Sequence, residues 1–206
     1  MRLYYARNTI SIAVAIALEE AGLVHDLTEI RFEEAEQTGE AYHAVNPKGR
    51  VPALEIGGSV ITETGAILEH IAATSPEAGL VPSDPRRAAR MREVMYFLAS
   101  TMHVNHAHKM RGARWADRPE SWADMRAKVP ETMRSSARYI EESCLRGPFV
   151  LGDTFSLADP YLFVVARWLP GDTVPLHEFP GIEAFVTAME ARASVRKIRE
   201  KGLLTL

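Results

Sequence analysis

The chain changes character once along its length. Residues 75–85 read Ser-Pro-Glu-Ala-Gly-Leu-Val-Pro-Ser-Asp-Pro, and prolines at that density neither continue a helix nor sit inside a sheet. Before this stretch, short apolar runs alternate with helical patterns. After it, the apolar spacing is helical throughout. The break predicts two domains, 1–76 and 86–206, with 77–85 as the linker; 206 residues suit two modest domains.

In the first part, Leu3-Tyr4-Tyr5 reads as a strand. Asn8 to Ala21 reads as a helix stopped by Gly22, and His25 to Phe32 as a second strand. Glu33 to Ala44 is polar and predicts a loop with a short helix. The runs Val51–Ile56 and Ser59–Ile61 flank Gly57-Gly58, a hairpin signal because both glycines accept positive φ. Glu63 to Thr74 places Ile67, Leu68 and Ile71 on one helical face. The order β-α-β-α-β-β-α joins a crossover unit to a hairpin and helix, which is the thioredoxin layout. In the second part, Ala88, Met91, Met95, Leu98 and Met102 form one stripe. Trp122, Met125, Val129, Met133, Ala137, Ile140 and Cys144 form another, interrupted by Pro130. Two more follow, through Leu157–Trp168 and Ile182–Met189. The fold class is therefore α/β and thioredoxin-like, followed by an all-helical domain.

Composition narrows the function. A net charge of -3 argues against a general nucleic-acid binder. A single cysteine, Cys144, excludes an intramolecular disulfide framework and a four-cysteine zinc site, and fits a reducing cytoplasm. The apolar run Ile10–Leu18 follows Arg2 and Arg7. It lacks the layout of a signal peptide, because its Ala-Ile-Ala lies inside the run, and it is too short to span a membrane.

Three segments carry chemistry. The first is Met1–Tyr5 through Ile16–Leu23. The second is Asn46-Pro47-Lys48-Gly49-Arg50-Val51-Pro52-Ala53-Leu54, continuing to Thr62-Glu63-Thr64-Gly65-Ala66-Ile67. The third is Leu151-Gly152-Asp153-Thr154-Phe155-Ser156-Leu157-Ala158-Asp159. In this order and spacing they resemble the glutathione transferase superfamily, its bacterial beta-like branch most closely. The resemblance implies glutathione as co-substrate, no metal, and a homodimer formed through the helix of residues 86–113 and the Gly57–Thr64 edge.

The residues themselves leave alternatives. Val51-Pro52 at a strand entrance is either a trans proline opening an edge strand or a cis peptide; the resemblance implies cis, with the Val51 backbone meeting the cysteinyl part of glutathione. Glu63-Thr64 begins a helix whose unpaired amides and dipole favour a carboxylate. That fits the γ-glutamyl end of glutathione, or else plain capping with Thr62 as N-cap. Ser156 and Asp159 form a capping-box variant, the Ser156 side chain accepting from the Asp159 N–H while the Asp159 carboxylate reaches back, with a structural role.

Glutathione transfer needs an ionised thiol, and a free thiol has a pKa of about 8.5. Donors between the first strand and helix are Tyr5, Asn8, Thr9 and Ser11. Beta-like relatives carry cysteine where this chain has Ile10, which removes thiol-based chemistry by the protein. Donor chemistry ranks Ser11 first, with Thr9 and Asn8 open. Glu33, Glu34 and Glu36 occupy the stretch where relatives place a lysine for the glycine carboxylate, so that contact passes to Lys48 or Arg50 or is lost. For the second substrate, His103, which aligns with an active-site histidine of relatives, joins His106, Arg111 and Trp115 as pocket candidates; the plain alternative is a solvated polar face. His103 and His106 share a helix face but lack a third ligand for a metal. These readings make the chain an enzyme directing glutathione at an electrophile, disulfide or peroxide. The rival readings are a glutathione-binding protein without turnover and a glutathione-dependent isomerase.

Overall fold

The structure is a computed structural model that describes residues 1–205. It forms two compact units, Met1–Pro82 together with the chain from Glu190 onward, and Ser83–Met189. The expected helical domain ran from 86 to 206, so its last segment lies with the thioredoxin-like unit.

In the first unit a four-stranded sheet has the order β2-β1-β3-β4. β1 (Arg2–Tyr5) pairs parallel with β2 (Asp26–Glu29), Leu3 opposite Leu27. β1 also pairs antiparallel with β3 (Ala53–Ile56), Leu3 opposite Leu54, and β3 pairs with β4 (Ser59–Thr62). Gly57 and Gly58 close the hairpin with φ of 55° and 82°, the backbone that suits the right-handed strand twist. β2 is shorter than the sequence reading because the chain after Glu29 leaves the ladder. Ile30 still donates to Tyr5 O at 2.7 Å, and the acidic stretch then turns through two 3-10 turns into the one-turn α2 (Glu40–His43).

α1 (Ser11–Glu20) is buried from Ser11 through Leu18. A helix that is apolar all round needs cover on every side; within this unit β1, α3 (Thr64–Thr74) and α9 (Ala193–Glu200) all contact it. Its C-terminal turn carries Glu19 and Glu20, which oppose the helix dipole. α9 supplies the compensating cations. Arg192 grips Glu20 through two nitrogens at 2.7 and 2.6 Å, Ser194 donates to Glu20, and Lys197 and Lys201 pair with Glu19.

In the second unit α4 (Pro85–Phe97) is capped by Asp84, which accepts from Arg87 N at 2.8 Å, and starts with proline at its first position. A π-helical stretch, Leu98–Met102, carries it into α5 (His103–Ala107). α6 (Pro119–Tyr139), α7 (Ala158–Trp168) and α8 (Pro180–Glu190) follow. The predicted stripes form the core: Met91, Met95, Met102, Met133, Ile140, Leu162 and Phe185 are all buried. Cys144 is buried with them, and desolvation pushes its thiol up, so it is a core residue rather than a nucleophile.

At the head of α7 the Asp159 carboxylate accepts Val150 N at 2.7 Å, Ser156 N at 2.6 Å and Ser156 Oγ at 3.1 Å, all buried. The carboxylate reaches back to Ser156 N as expected, but the direction of the hydroxyl bond is corrected. The Ser156 hydroxyl donates to the carboxylate, and the Asp159 N–H bonds to the Ser156 carbonyl at 3.1 Å. An ionised carboxylate accepts more strongly than a hydroxyl does, so the serine proton turns toward it.

Candidate functional site

The β1–α1 loop is built around the Ala6 carbonyl, which receives Thr9 Oγ1 at 2.8 Å, Ser11 Oγ at 3.1 Å and Thr9 N at 3.4 Å. Ser11 Oγ also accepts Ala6 N at 3.1 Å and lies 2.7 Å from Thr9 Oγ1. Ser11 has 0% exposure. Its hydroxyl is an internal brace of the loop, whereas Thr9 is half-buried. Ile10, buried, is the N-cap of α1 and supplies no side-chain cap. Its backbone N–H meets no hydrogen-bond acceptor among the described residues. Ser11 is the first helical residue of α1 and not its cap. Asn8 stands at φ 57°, a left-handed conformation that asparagine tolerates better than most residues, and its side-chain amide bonds to Thr205. Tyr5 is buried at the end of β1; desolvation, and next the charge of Glu29, push its phenol up, so it remains a protonated donor at neutral pH.

The second element is the turn Asn46–Arg50, followed by a cis peptide between Val51 and Pro52. Asn46 is buried and holds the turn from inside, donating to Arg50 O at 2.6 Å and accepting from Lys48 N at 3.1 Å. Tyr42 donates to the same carbonyl at 2.7 Å, and burial pushes its phenol up to about 12. Gly49 has φ 59°, and a Cβ there would approach Gln37 O to 2.8 Å, so only glycine fits. The result presents Val51 just outside the β1–β3 ladder, whose last register pair is Tyr4 with Ala53. The Val51 N–H and C=O take no hydrogen bond among the described residues.

The third element is the start of α3. Its N-cap is Glu63, not Thr62, with φ 71° and ψ 122° and no side-chain cap. That backbone is sparsely populated for a residue bearing a side chain and costs about 1–3 kcal/mol. Among the described residues the N–H groups of Thr64, Gly65 and Ala66 have no acceptor; the first bond of the turn is Ile67 N to Glu63 O at 3.0 Å. Thr62 does not cap the helix: among the described residues no side chain caps it, and three amides at the positive end of the helix dipole are left without an acceptor. Thr64 is buried, while the Glu63 side chain is 71% exposed. Lys48 Nζ pairs with Glu63 and donates to Thr62 Oγ1 at 2.7 Å. Arg50 is exposed, and its guanidinium takes no ion pair among the described residues. The acidic stretch is partly neutralised from within. Arg31 meets Glu34 at 2.7 Å and clasps Glu36, which holds the Glu36 carboxyl below the usual range.

In the second unit the expected pocket candidates divide. His103 and His106 flank Trp168, with ring centroids 4.9 and 4.2 Å away, the His106 ring stacked. His106 Nδ1 lies 2.6 Å from Asp172 Oδ2, a fully buried carboxylate whose other oxygen meets Lys109 Nζ at 3.3 Å. Trp115, 44% exposed, packs edge-on against His108 instead, and Arg111 is exposed on the turn after α5. Trp168, Asp172 and Lys109 escaped the sequence reading. Trp168 looked like one more apolar position of a helical stripe, and the other two are charged residues without a motif. Asn46 was missed too, although Asn-Pro-x-Gly is a turn signal with a mechanism. Among the described residues no three His, Cys, Asp or Glu side chains are grouped to hold a metal ion, and no helix is long and apolar enough to cross a membrane.

Comparison with known proteins agrees with this geometry. Residues 1–73 match the glutathione S-transferase N-terminal domain and residues 91–193 the glutathione S-transferase C-terminal domain. The chain is 29% identical to glutathione S-transferase GstA of Escherichia coli O157:H7, covering 95% of this chain and 96% of the relative. It is also 29% identical to a maleylacetoacetate isomerase of Pseudomonas aeruginosa, covering 97% and 90%. A solved glutathione transferase homologue from Sulfitobacter with bound glutathione is 56% identical and superposes with a TM-score of 0.98 over 98% of both chains. With both domains matched in order, and with the uncapped α3 amides and the cis Val51–Pro52 peptide in place, the chain belongs to the glutathione S-transferase family.

Proposed function

We propose that this glutathione transferase ionises bound glutathione with Thr9 Oγ1 and the Ile10 N–H, and directs the sulfur at an electrophilic carbon. The observation that carries the reading is the redundancy at Ala6 O. Thr9 Oγ1 can turn to a sulfur while the carbonyl keeps Ser11 Oγ and Thr9 N, so recruiting the donor leaves no buried acceptor unpaired. The N-terminus of α1 adds its dipole. Lowering a thiol by about two pKa units takes about 2.7 kcal/mol, within reach of one charged hydrogen bond, one amide and a helix end.

The remaining groups order the tripeptide. Val51 N–H and C=O bond the cysteinyl backbone, with Pro52 fixing the turn. The amides at Thr64 and beyond, with the Thr64 hydroxyl, receive the γ-glutamyl carboxylate, and Glu63 pairs with its amine. Arg50 serves the glycine carboxylate, since Lys48 is held at the head of α3 by Glu63 and Thr62. In turnover the thiol proton leaves to water, the sulfur lone pair forms the S–C bond, and the leaving group departs with its electron pair. His103 and His106 serve the second substrate; the support is the anchoring of His106 by buried Asp172, a device that fixes an imidazole's orientation. We further infer a cytoplasmic homodimer, supported by family membership and the lone buried cysteine.

The test is a pH titration of the thiolate ultraviolet absorbance of bound glutathione, paired with conjugation of a chlorodinitrobenzene. A bound thiol titrating well below the free one, with conjugation following the same curve, is expected. A bound thiol that titrates like free glutathione refutes the proposal.

A further inference from the structure

Residues 203–205 lie against the loop that carries Thr9. Asn8 N donates to Leu203 O at 3.2 Å. The Asn8 side chain donates to Thr205 Oγ1 at 2.9 Å and accepts from Thr205 N at 2.9 Å. Asn8 thus uses backbone and amide together, as a short strand pair would, and it does so from a left-handed backbone at φ 57°.

The tail is itself anchored. Gly202, at φ 74°, closes α9 by donating to Arg199 O at 2.9 Å, Leu203 N donates to Ile198 O at 3.1 Å, and Arg199 donates to Leu204 O at 3.3 Å. Leu203 and Leu204 are buried. α9 in turn holds the far end of α1 through Glu19 and Glu20. One C-terminal segment therefore grips α1 at both ends: cations at its C-terminal turn, and hydrogen bonds at the loop entering its N-terminal turn.

We propose that residues 203–205 are a latch that positions the thiol-binding loop, with Asn8 and Thr205 as its positioning residues. This rests on the assignment of Thr9 and the Ile10 N–H to the sulfur. Donors aimed at a developing charge work only when held close to the productive geometry. Ser11 braces the loop from inside through Ala6, and the tail braces it from outside through Asn8. Asn8, a candidate thiol donor in the sequence reading, has both polar atoms of its amide turned to the tail.

Two variants separate the latch from its alternatives. Asn8→Gly deletes the side-chain bonds while glycine keeps the left-handed backbone without penalty. A chain ending at Leu204 deletes both Thr205 groups and leaves the buried leucines. Each is expected to lower kcat/KM for glutathione conjugation about five- to tenfold and to raise the titration midpoint of the bound thiol, with little change in melting temperature. Combined, they are expected to do no more than either alone, since they cut the same bonds. Thr205→Ser keeps both groups and is expected to behave as wild type. Hydrogen exchange at residues 7–11 in the ligand-free protein should speed up in both variants, a readout independent of glutathione.

An unchanged thiol titration in both variants overturns the proposal. So does a drop in Asn8→Gly alone, which would put Asn8 on the ligand itself, or a drop that tracks only lost stability. If the wild type leaves bound thiol unionised, the functional reading fails, and the positioning role with it; faster exchange would then mark a structural contact only.

Discussion

Thr9→Val is the most informative single change. Valine keeps the shape of threonine and removes the one hydroxyl assigned to the sulfur. In the folded protein the loss falls on Ala6 O, which still holds Ser11 Oγ at 3.1 Å and Thr9 N at 3.4 Å, and on Ser11 N, whose bond to Thr9 Oγ1 is long at 3.4 Å, so stability should drop by about 1–2 kcal/mol. The effect on chemistry is larger. A hydrogen bond to a charged group contributes about 1.5–3 kcal/mol, which at about 1.36 kcal/mol per unit raises the thiol by about 1–2 pKa units. If the wild-type enzyme holds the thiol near pKa ~6.5, the variant lies between about 7.5 and 8.5. At pH ~7 the thiolate fraction then falls from about three quarters to between about a quarter and a few per cent. Ultraviolet titration of bound glutathione reads the midpoint, and kcat/KM at fixed pH should fall in proportion. Ser11→Ala is the counterpart. It strips the acceptor from the buried Ala6 N–H and should cost about 1–3 kcal/mol of stability, while moving the thiol midpoint less than Thr9→Val does, because it loosens the loop but keeps the donor. The reverse pattern, Ser11→Ala moving the midpoint and Thr9→Val leaving it alone, would refute the reasoning from burial.

Asp159→Ala removes the acceptor for three buried donors and should destabilise the protein by about 3 kcal/mol or more, read as a shifted urea midpoint; Asp159→Asn should cost less. Desolvation raises the Glu19 and Glu20 carboxyls, but the bonds from Lys197 and Lys201, and from Arg192 and Ser194, outweigh it and hold both below the usual range. A depressed folded pKa stabilises above the unfolded value of about 4.3 and is lost as pH falls through the folded value. The melting temperature of Arg192→Ala should therefore lie below wild type at neutral pH and converge with it in acid; a gap that persists in acid would show that the pairing contributes nothing. Asp172→Asn leaves His106 and Lys109 without their shared carboxylate and should raise KM for the second substrate more than KM for glutathione, measured by varying each in turn.

What the sequence alone determined is local. The Gly57-Gly58 hairpin, the proline-rich break at 75–85 and the helical stripes follow from backbone freedom and from apolar spacing, both written within a few residues. The bend at Val51-Pro52 and the helix start at Glu63-Thr64 were legible because each sits in one short motif. Tertiary structure decided the rest, because burial and hydrogen-bond partners depend on distant residues. Ser11 and Thr9 have the same donor chemistry on paper, and only the packing of α1 seals one and leaves the other half-open. Asn8 meets Thr205 from the opposite end of the chain, and His106 meets Asp172 from 66 residues away. A side chain's chemistry is local, but which partner has already claimed it is settled only when the chain folds.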